Sequence, residues 1–367
     1  MTMTPLLKTL IPFQEDYVPP EIVDREVERA ILRNFLEPIT LGEPQLYNML
    51  VTGTIGVGKT VLTKFIMREL PAMSYYVKMT EADNTFTRVL LRIISILGLP
   101  LSPFNLPSNL ILMRLIQHFE ESKTPILLVF DDFDKAPLKA VRCILHEIPR
   151  GTSYCNLLII SRVPAVLEDL PEDTKSTLRC RELPLKPYGK QELYDIVKQR
   201  ANLALNMGEQ AVEDEVLWAV AETASLSGSA REAIELLKTA CLNAAYLGRV
   251  KVTMEDFECA VEELERKSLE EAIRELPTYH KLILQCCTPH PKTYEQVYNE
   301  WRFKLRESNL RELSIYRFRD FVAELKKLDL IRSELRGHGR GRGFSYFLQL
   351  SPHVAEAMRR AKPTVGA

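Results

Sequence analysis

The sequence predicts an α/β domain built on a parallel sheet, then an all-helical domain, then a C-terminal winged-helix domain. Three observations carry this prediction. From about residue 46 to residue 161, short apolar strands alternate with amphipathic helices, the rhythm of a parallel sheet covered on both faces. After Leu185 the strand signals stop and four helical periodicities follow. Near the C-terminus, helices are closed by two strand-like runs around a Gly-Arg loop.

Residues 1–20 read as an irregular arm ending in Pro19-Pro20. Apolar residues at helical spacing (Val23, Val27, Ala30, Ile31, Phe35) predict a helix from Glu21 to about Leu41. Leu46–Thr52 reads as a buried strand running into a glycine-rich turn, and Lys59–Leu70 as a helix ended by Pro71. The α/β part continues with a strand at Tyr75–Met79, helices at Phe86–Leu97 and Leu110–Glu120, and the apolar strand Ile126–Phe130. A helix over 138–148 and the strand Asn156–Ser161 complete it. The helical part holds Lys190–Met207, Glu213–Ser225, Ala230–Leu247 and Met254–Leu276, before Pro277 interrupts. The final strand pair is Leu330–Leu335 with Phe344–Leu350, and domain limits fall at 1–185, 186–268 and 269–367.

A hydrophobic content of 46% with 26% charged residues is that of a globular protein. No apolar run reaches the roughly 18 residues of a membrane span. The N-terminus, with one lysine, a short apolar patch and no small-residue cleavage site, does not read as a secretory signal, so a cytoplasmic protein with no membrane partner is expected. The seven cysteines form no Cys-x-x-Cys pair and read as reduced, mostly buried thiols. The net charge of −1 hides an asymmetry. From residue 291 to 367 there are 16 Lys+Arg against 9 Asp+Glu, leaving the rest at −8. A basic end on an acidic body suits nucleic-acid binding, and equally a solvated basic surface.

Gly53-Thr54-Ile55-Gly56-Val57-Gly58-Lys59-Thr60, between a strand and a helix, fits the phosphate-binding pattern Gly-x-x-x-x-Gly-Lys-Thr. Glycines let successive backbone N–H groups face phosphate oxygens at a helix N-terminus that already favours anions. Lys59 would reach the β and γ phosphates of a purine nucleoside triphosphate, ATP, and the Thr60 hydroxyl would hold Mg²⁺. Some 70 residues on, the strand Ile126–Phe130 delivers Asp131-Asp132 at its C-terminal edge, where open α/β sheets place ligands. Asp131 would orient Mg²⁺, and Asp132 would activate an attacking water.

These motifs name only a very large ATPase superfamily. Gly228-Ser229-Ala230-Arg231-Glu232-Ala233-Ile234-Glu235-Leu236-Leu237 narrows it, because it closely resembles the second-sensor helix of the archaeal origin-recognition initiators, a Cdc-type clade of AAA+ ATPases. The resemblance extends over nearly the whole chain. Tyr17-Val18-Pro19 with Asp24-Arg25-Glu26 resembles the family's adenine-side entry motif, and Thr85–Pro100 its helical insertion, where Thr87 and Arg88 would add a DNA contact. Arg317–Leu330 resembles its recognition-helix region. The fold implied is an α/β AAA+ P-loop domain with a helical lid and a C-terminal winged helix. The nucleotide contacts implied are Val18, Pro19, Arg25, Thr54, Ile55, Gly56, Val57, Gly58, Lys59, Thr60, Val61 and Tyr188, with Arg231 reaching back from the lid. Three departures from the family pattern imply slow hydrolysis at most: Asp132 where a Glu is usual, Ser161-Arg162 where an Asn is usual, and Asp173 where a trans-acting arginine stands, with Lys175 and Arg179 as poor substitutes.

In a winged helix, one helix enters the major groove and the wing follows the backbone. Arg311, Arg317 and Arg319, with Lys326 and Lys327, lie in or near that helix, whose buried face would be Phe318, Phe321, Val322 and Leu325. Arg336, His338, Arg340 and Arg342 fall on the wing, while Trp301, Tyr316 and Phe344 read as core. The resemblance implies a replication initiator on duplex origin DNA, helping to recruit a replicative helicase, monomeric in solution and assembling on DNA at the nucleoid. A nucleotide-switched transcriptional or auxiliary regulator, and a remodelling or clamp-loading ATPase, are the alternatives.

Overall fold

A computed structural model describes residues 5–45, 47–68, 73–99, 106–162, 165–168, 170–337, 344–351 and 354. Leu46, Leu70, Pro71 and Pro100 of the predicted elements lie outside this set. The chain divides into two compact units, Met1–Phe257 and Glu258–Ala367.

The first unit contains a parallel sheet of β1 (Asn48–Thr52), β2 (Ser74–Lys78), β3 (Ile126–Asp131), β4 (Cys155–Ile160) and β5 (Cys180–Pro184), in the order β2-β3-β4-β1-β5. Side chains alternate between two cores. Leu128, Phe130, Leu157 and Ile159 face one, while Leu127, Val129, Leu158 and Ile160 face the other. Both faces are buried, so these strands read as unbroken apolar runs. On the first face lie α3 (Phe86–Leu97), α4 (Ser108–Ser122) and α5 (Leu138–Gly151); on the second, α1 (Glu26–Thr40) and α2 (Lys59–Met67). Two short helices, α6 (Ala165–Glu168) and α7 (Glu172–Leu178), precede β5.

Two expectations change. The first helix begins at Glu26 rather than Glu21, because Asp24 and Arg25 turn left-handed at φ +56° and +71°. The strand β5 was not anticipated: it is a sheet edge whose Leu183 is buried while Arg181, Glu182 and Pro184 are exposed, so it lacks the apolar signature of its neighbours. The helix read as an insertion, α3, buries Phe86, Val89, Leu90, Ile93 and Ile94 against the sheet. It is an integral cover of the core.

The helical layer comprises α8 (Lys190–Ala204), α9 (Asp214–Ser225), α10 (Ala230–Tyr246) and the first turn of α11 (Met254–Glu275). The irregular arm is anchored to it. Leu6 and Phe13 are buried, and the N–H groups of Lys8 and Thr9 donate to Ala204 O at 2.9 and 3.1 Å. No described helix is long and apolar enough to cross a membrane. All seven cysteines are free; Cys155, Cys241, Cys286 and Cys287 are buried and Cys259 is exposed.

The second unit packs α12 (Thr278–Cys286), α13 (Tyr294–Glu307) and α14 (Ile315–Lys327) against an antiparallel sheet of β6 (Lys292–Thr293), β8 (Phe344–Leu350) and β7 (Ile331–Gly337), in that order. Its centre is aromatic. Trp301 and Phe318 are fully buried with ring centroids 5.1 Å apart, and the indole N–H donates to Tyr279 O at 3.2 Å. Trp301→Ala should therefore destabilise this unit by roughly 3–5 kcal/mol. Urea unfolding of the full chain is expected to show one transition moved to lower denaturant.

Candidate functional site

The glycine-rich loop leaves the C-terminal edge of β1 and ends at the first turn of α2. Val57, fully buried in the core under β1, pins its middle. Gly56 and Gly58 adopt φ +84° and +88°, and contacts make them doubly obligatory. A Cβ at Gly56 would stand 1.9 Å from Ser229 Oγ, and one at Gly58 2.7 Å from the Tyr188 hydroxyl. Gly56 O also accepts the N–H of Ala230 at 3.0 Å, fastening the helical layer to the loop.

Lys59 is 9% exposed, and its ammonium donates to Gly53 O and Thr54 O at 2.6 and 2.8 Å. Burial pushes its pKa down, with Asp131 opposing. Thr60 Oγ1 donates to Asp131 Oδ2 at 2.8 Å, joining the loop to β3. Asp131 is buried. Its Oδ2 also accepts the Tyr76 hydroxyl, and its Oδ1 accepts the Asp132 N–H at 3.0 Å. Burial first, then the Asp131 charge, pushes the Tyr76 pKa well above its usual range, so this hydroxyl is a donor.

Asp132 sits at φ +54° and pairs with Lys135 at 2.9 Å. Burial favours its neutral form, but Lys135, then Lys78 and Arg162, outweigh this and hold its pKa below the usual value. Ser161 and Arg162 follow β4 directly and line the same cavity, Arg162 standing 3.6 Å from Asp134. In α7, Asp173 Oδ1 accepts the Thr174 N–H at 2.8 Å and Lys175 pairs with Glu172, while Arg179 is exposed at the helix end.

Lys59, Thr60, Asp131, Asp132, Lys135 and Arg162 line a cavity of about 320 Å³, whereas Asp173, Lys175 and Arg179 stand outside its lining. Its lining also has an apolar set of Phe13, Ile22, Val23, Tyr188, Ile196 and Ile234. Of the predicted residues, Pro19, Ile55, Gly56, Gly58, Lys59, Thr60, Val61, Asp131, Asp132, Tyr188 and Arg231 line it. The others stand outside the lining. Val18 O accepts from Arg68 at 2.9 Å, Thr54 O accepts from Lys59, and Val57 is core. The Arg25 guanidinium lies 4.2 Å from the Tyr188 ring centroid, donates to Lys186 O at 2.5 Å and pairs with Glu28 at 3.0 Å. Arg231 is half-exposed and 3.6 Å from Glu15.

Sequence reasoning missed Arg200, a cavity residue only 5% exposed. It donates to Pro12 O at 3.2 Å and stands 4.9 Å from the Tyr17 ring centroid. Its Nε has no partner among the described residues, and burial pushes its pKa down. The signal was present: Leu193, Ile196, Val197, Arg200, Ala201 and Ala204 form one helical stripe, in which a single charge interrupts apolar positions. Thr87 and Arg88 have local partners, Ser108 at 2.6 Å and Ala82 O at 3.0 Å.

In the second unit, Ser314 caps α14, and Phe318, Val322 and Leu325 form its buried face; Phe321 is half-buried. Arg317 is the third residue of the helix, exposed and 3.7 Å from Asp320. Arg311, Arg319, Lys326 and Lys327 are exposed, with no carboxylate within 4.0 Å among the described residues. Glu312 instead binds Arg302 and Arg306. Tyr316 corrects a prediction: it is 71% exposed, not core, because it lies beside Arg317 on the face of α14 opposite Phe318. Trp301 is core as predicted. His338, Arg340 and Arg342 lie outside the described residues, and for Arg336 and Phe344 only the strand backbone is described.

Sequence models of three domain families match the chain: an AAA domain over residues 45–161, a Cdc6 AAA+ ATPase-type lid domain over 194–262, and a CDC6 C-terminal winged helix domain over 271–358. The chain is 28% identical over 341 residues to the ORC1-type DNA replication protein 1 of Sulfolobus acidocaldarius, covering 89% of this chain and 85% of that protein. It is 27% identical over 372 residues to the ORC1-type DNA replication protein of Thermococcus kodakarensis, covering 95% and 89%. Among solved structures, the Aeropyrum pernix ORC1 protein in complex with DNA matches with a TM-score of 0.74 at 25% identity over 99% of both chains.

Gly56→Ala should lower the thermal midpoint of the first unit more than Gly42→Ala does. Both glycines have positive φ, so each substitution carries strain of about 1–2 kcal/mol. Only the Gly56 Cβ meets another residue within 4 Å. Glu312 gives a pH signature: Arg306 and then Arg302 push its pKa down from 4.5 to about 2. Its depressed folded pKa contributes stability above pH 4.5 that is lost as pH falls towards 2. NMR titration should find that pKa, and Glu312→Gln should remove this part of the acid limb.

Proposed function

The chain belongs to the origin-recognition and Cdc6-type family of AAA+ replication initiators, and on that premise we propose that it binds ATP in the first unit and duplex origin DNA through the winged helix. The observation that carries the nucleotide half is the 2.8 Å bond from Thr60 to Asp131, which joins the phosphate loop to the acidic strand within one cavity. Lys59 would bind the β and γ phosphates. Tyr188 and the neighbouring apolar residues suit the base, and Arg200 and Arg231 offer positive charge from the lid. Among the described residues no group of three or more His, Cys, Asp or Glu side chains gathers to hold a metal. Thr60 and Asp131 are oxygen donors of the kind Mg²⁺ takes alongside substrate phosphates. Bound there, Mg²⁺ would neutralise phosphate charge.

Asp132 is the candidate base, and its ion pair with Lys135 supports slow turnover and a switching role. ATP or ADP would set the lid angle through the Gly56–Ala230 contact and Arg231, and with it assembly on DNA and recruitment of a replicative helicase. Arg311, Arg317 and Arg319 on the helix, with Arg336, His338, Arg340 and Arg342 on the wing, would contact DNA phosphates and bases at the nucleoid. The departures at Asp132, Arg162 and Asp173 also suit a nucleotide-switched auxiliary regulator; occupancy clustering at promoters rather than origins would identify it.

Binding to origin and random duplexes across a salt titration, with ATP, ADP and no nucleotide, tests the assignment. The expected result is a persistent preference for origin DNA, and no preference at any salt would sink it. Arg340→Ala/Arg342→Ala should flatten the salt slope by roughly 0.9 per lost phosphate contact, with ATP binding intact. Lys59→Ala should weaken ATP binding by roughly ten- to hundredfold. Arg200→Met should act with opposite signs: a more stable nucleotide-free protein, since a buried charge is removed, but weaker ATP binding. Calorimetry and thermal melting check both.

A further inference from the structure

Three elements converge on the Asp131 carboxylate. α2 sends the Thr60 hydroxyl and β2 sends the Tyr76 hydroxyl, both to Oδ2, while the Asp132 N–H serves Oδ1. An ionised carboxylate oxygen has about two acceptor directions, so among the described residues Oδ2 is fully used and Oδ1 keeps one in reserve. Tyr76 pairs in register with Val129, two residues before Asp131, so only a long side chain from this edge strand reaches the acid.

The ring of Tyr76 packs against the core cluster containing Ile66 and Val129, and Lys64 Nζ stands 4.6 Å from its centroid. Thr60 and Lys64 are four residues apart on α2, so one helix face supplies a hydroxyl to Asp131 and a cation to the ring. Phenylalanine would fill the same volume with the same apolar contacts. Among the described residues the hydroxyl bonds Asp131 alone.

We propose that Tyr76 is a positioning residue for the divalent cation, fixing the Asp131 carboxylate so that Oδ1 remains its open acceptor and the Thr60 hydrogen stays committed to Oδ2. This deepens the nucleotide assignment and rests on Thr60 and Asp131 as the protein's donors to Mg²⁺.

Calorimetry of ATP binding to the full chain, with Mg²⁺ and with EDTA, separates the cation from the nucleotide. The wild type is expected to bind more tightly with Mg²⁺. In Tyr76→Phe that enhancement falls roughly tenfold, while affinity in EDTA stays at the wild-type value. In an Asp131→Asn background the enhancement is already lost, and Tyr76→Phe changes nothing further. Mn²⁺ bound to the ATP complex, counted by electron paramagnetic resonance, falls in parallel. Full Mg²⁺ enhancement in Tyr76→Phe overturns the proposal, as does equal weakening in both buffers, which would make Tyr76 a support of the fold. A wild type that binds no ATP in either buffer overturns the nucleotide assignment itself.

Discussion

A carboxylate removed from water costs several kcal/mol unless its lone pairs are used, and Asp131 imposes that condition on the whole α/β unit. It is 3% exposed at the end of a hydrophobic strand. Its partners come from the start of α2, from β2 and from its own following turn. Satisfying it requires β2 beside β3 in the observed register and α2 starting above their common edge. Lys59 meets the corresponding demand for a cation differently, by donating to carbonyls of its own loop. The Lys59 ammonium and the Asp131 carboxylate are thus hydrogen-bonded by separate networks, while the Asp131 charge still favours the protonated lysine.

Two buried arginines of this unit show how differently a guanidinium can be housed. Arg25 has a carboxylate, two backbone carbonyls and the Tyr188 ring, and it shapes the chain where α1 begins. Arg200 has one carbonyl and one ring, in a cavity wall. The first arrangement is largely self-contained and structural. The second leaves a charge whose natural complement is an anion or a polar acceptor in the cavity, which is why it belongs to the site although it belongs to no motif.

The loop, the acidic strand and the alternating cores were legible in the sequence because each is a local pattern: a spacing, an apolar run, a helical period. The solvent-facing edge strand β5 was not, since four of its five residues escape full burial and its pairing with β1 is long-range. Tyr76 reads as one of two tyrosines in a strand, and only register reveals which one reaches Asp131. Tyr316 was misjudged because aromatic residues usually signal core, whereas here the helix phase set by Phe318 and Val322 turns it outward. Arg200 was detectable as a charge in an apolar stripe, but its role depends on an arm almost 190 residues earlier in the chain.

The bond from Ala230 N to Gly56 O, with Ser229 packed on the same glycine, ties the posture of the helical layer to the crown of the loop. Where two equilibria draw on one contact, thermodynamic linkage makes any coupling between them reciprocal. Under the proposed function, a partner that favours one posture of the lid would change affinity at the loop by the same factor as the loop's ligand changes that partner's affinity. A macromolecule that never touches the cavity would then tune how tightly its occupant is held.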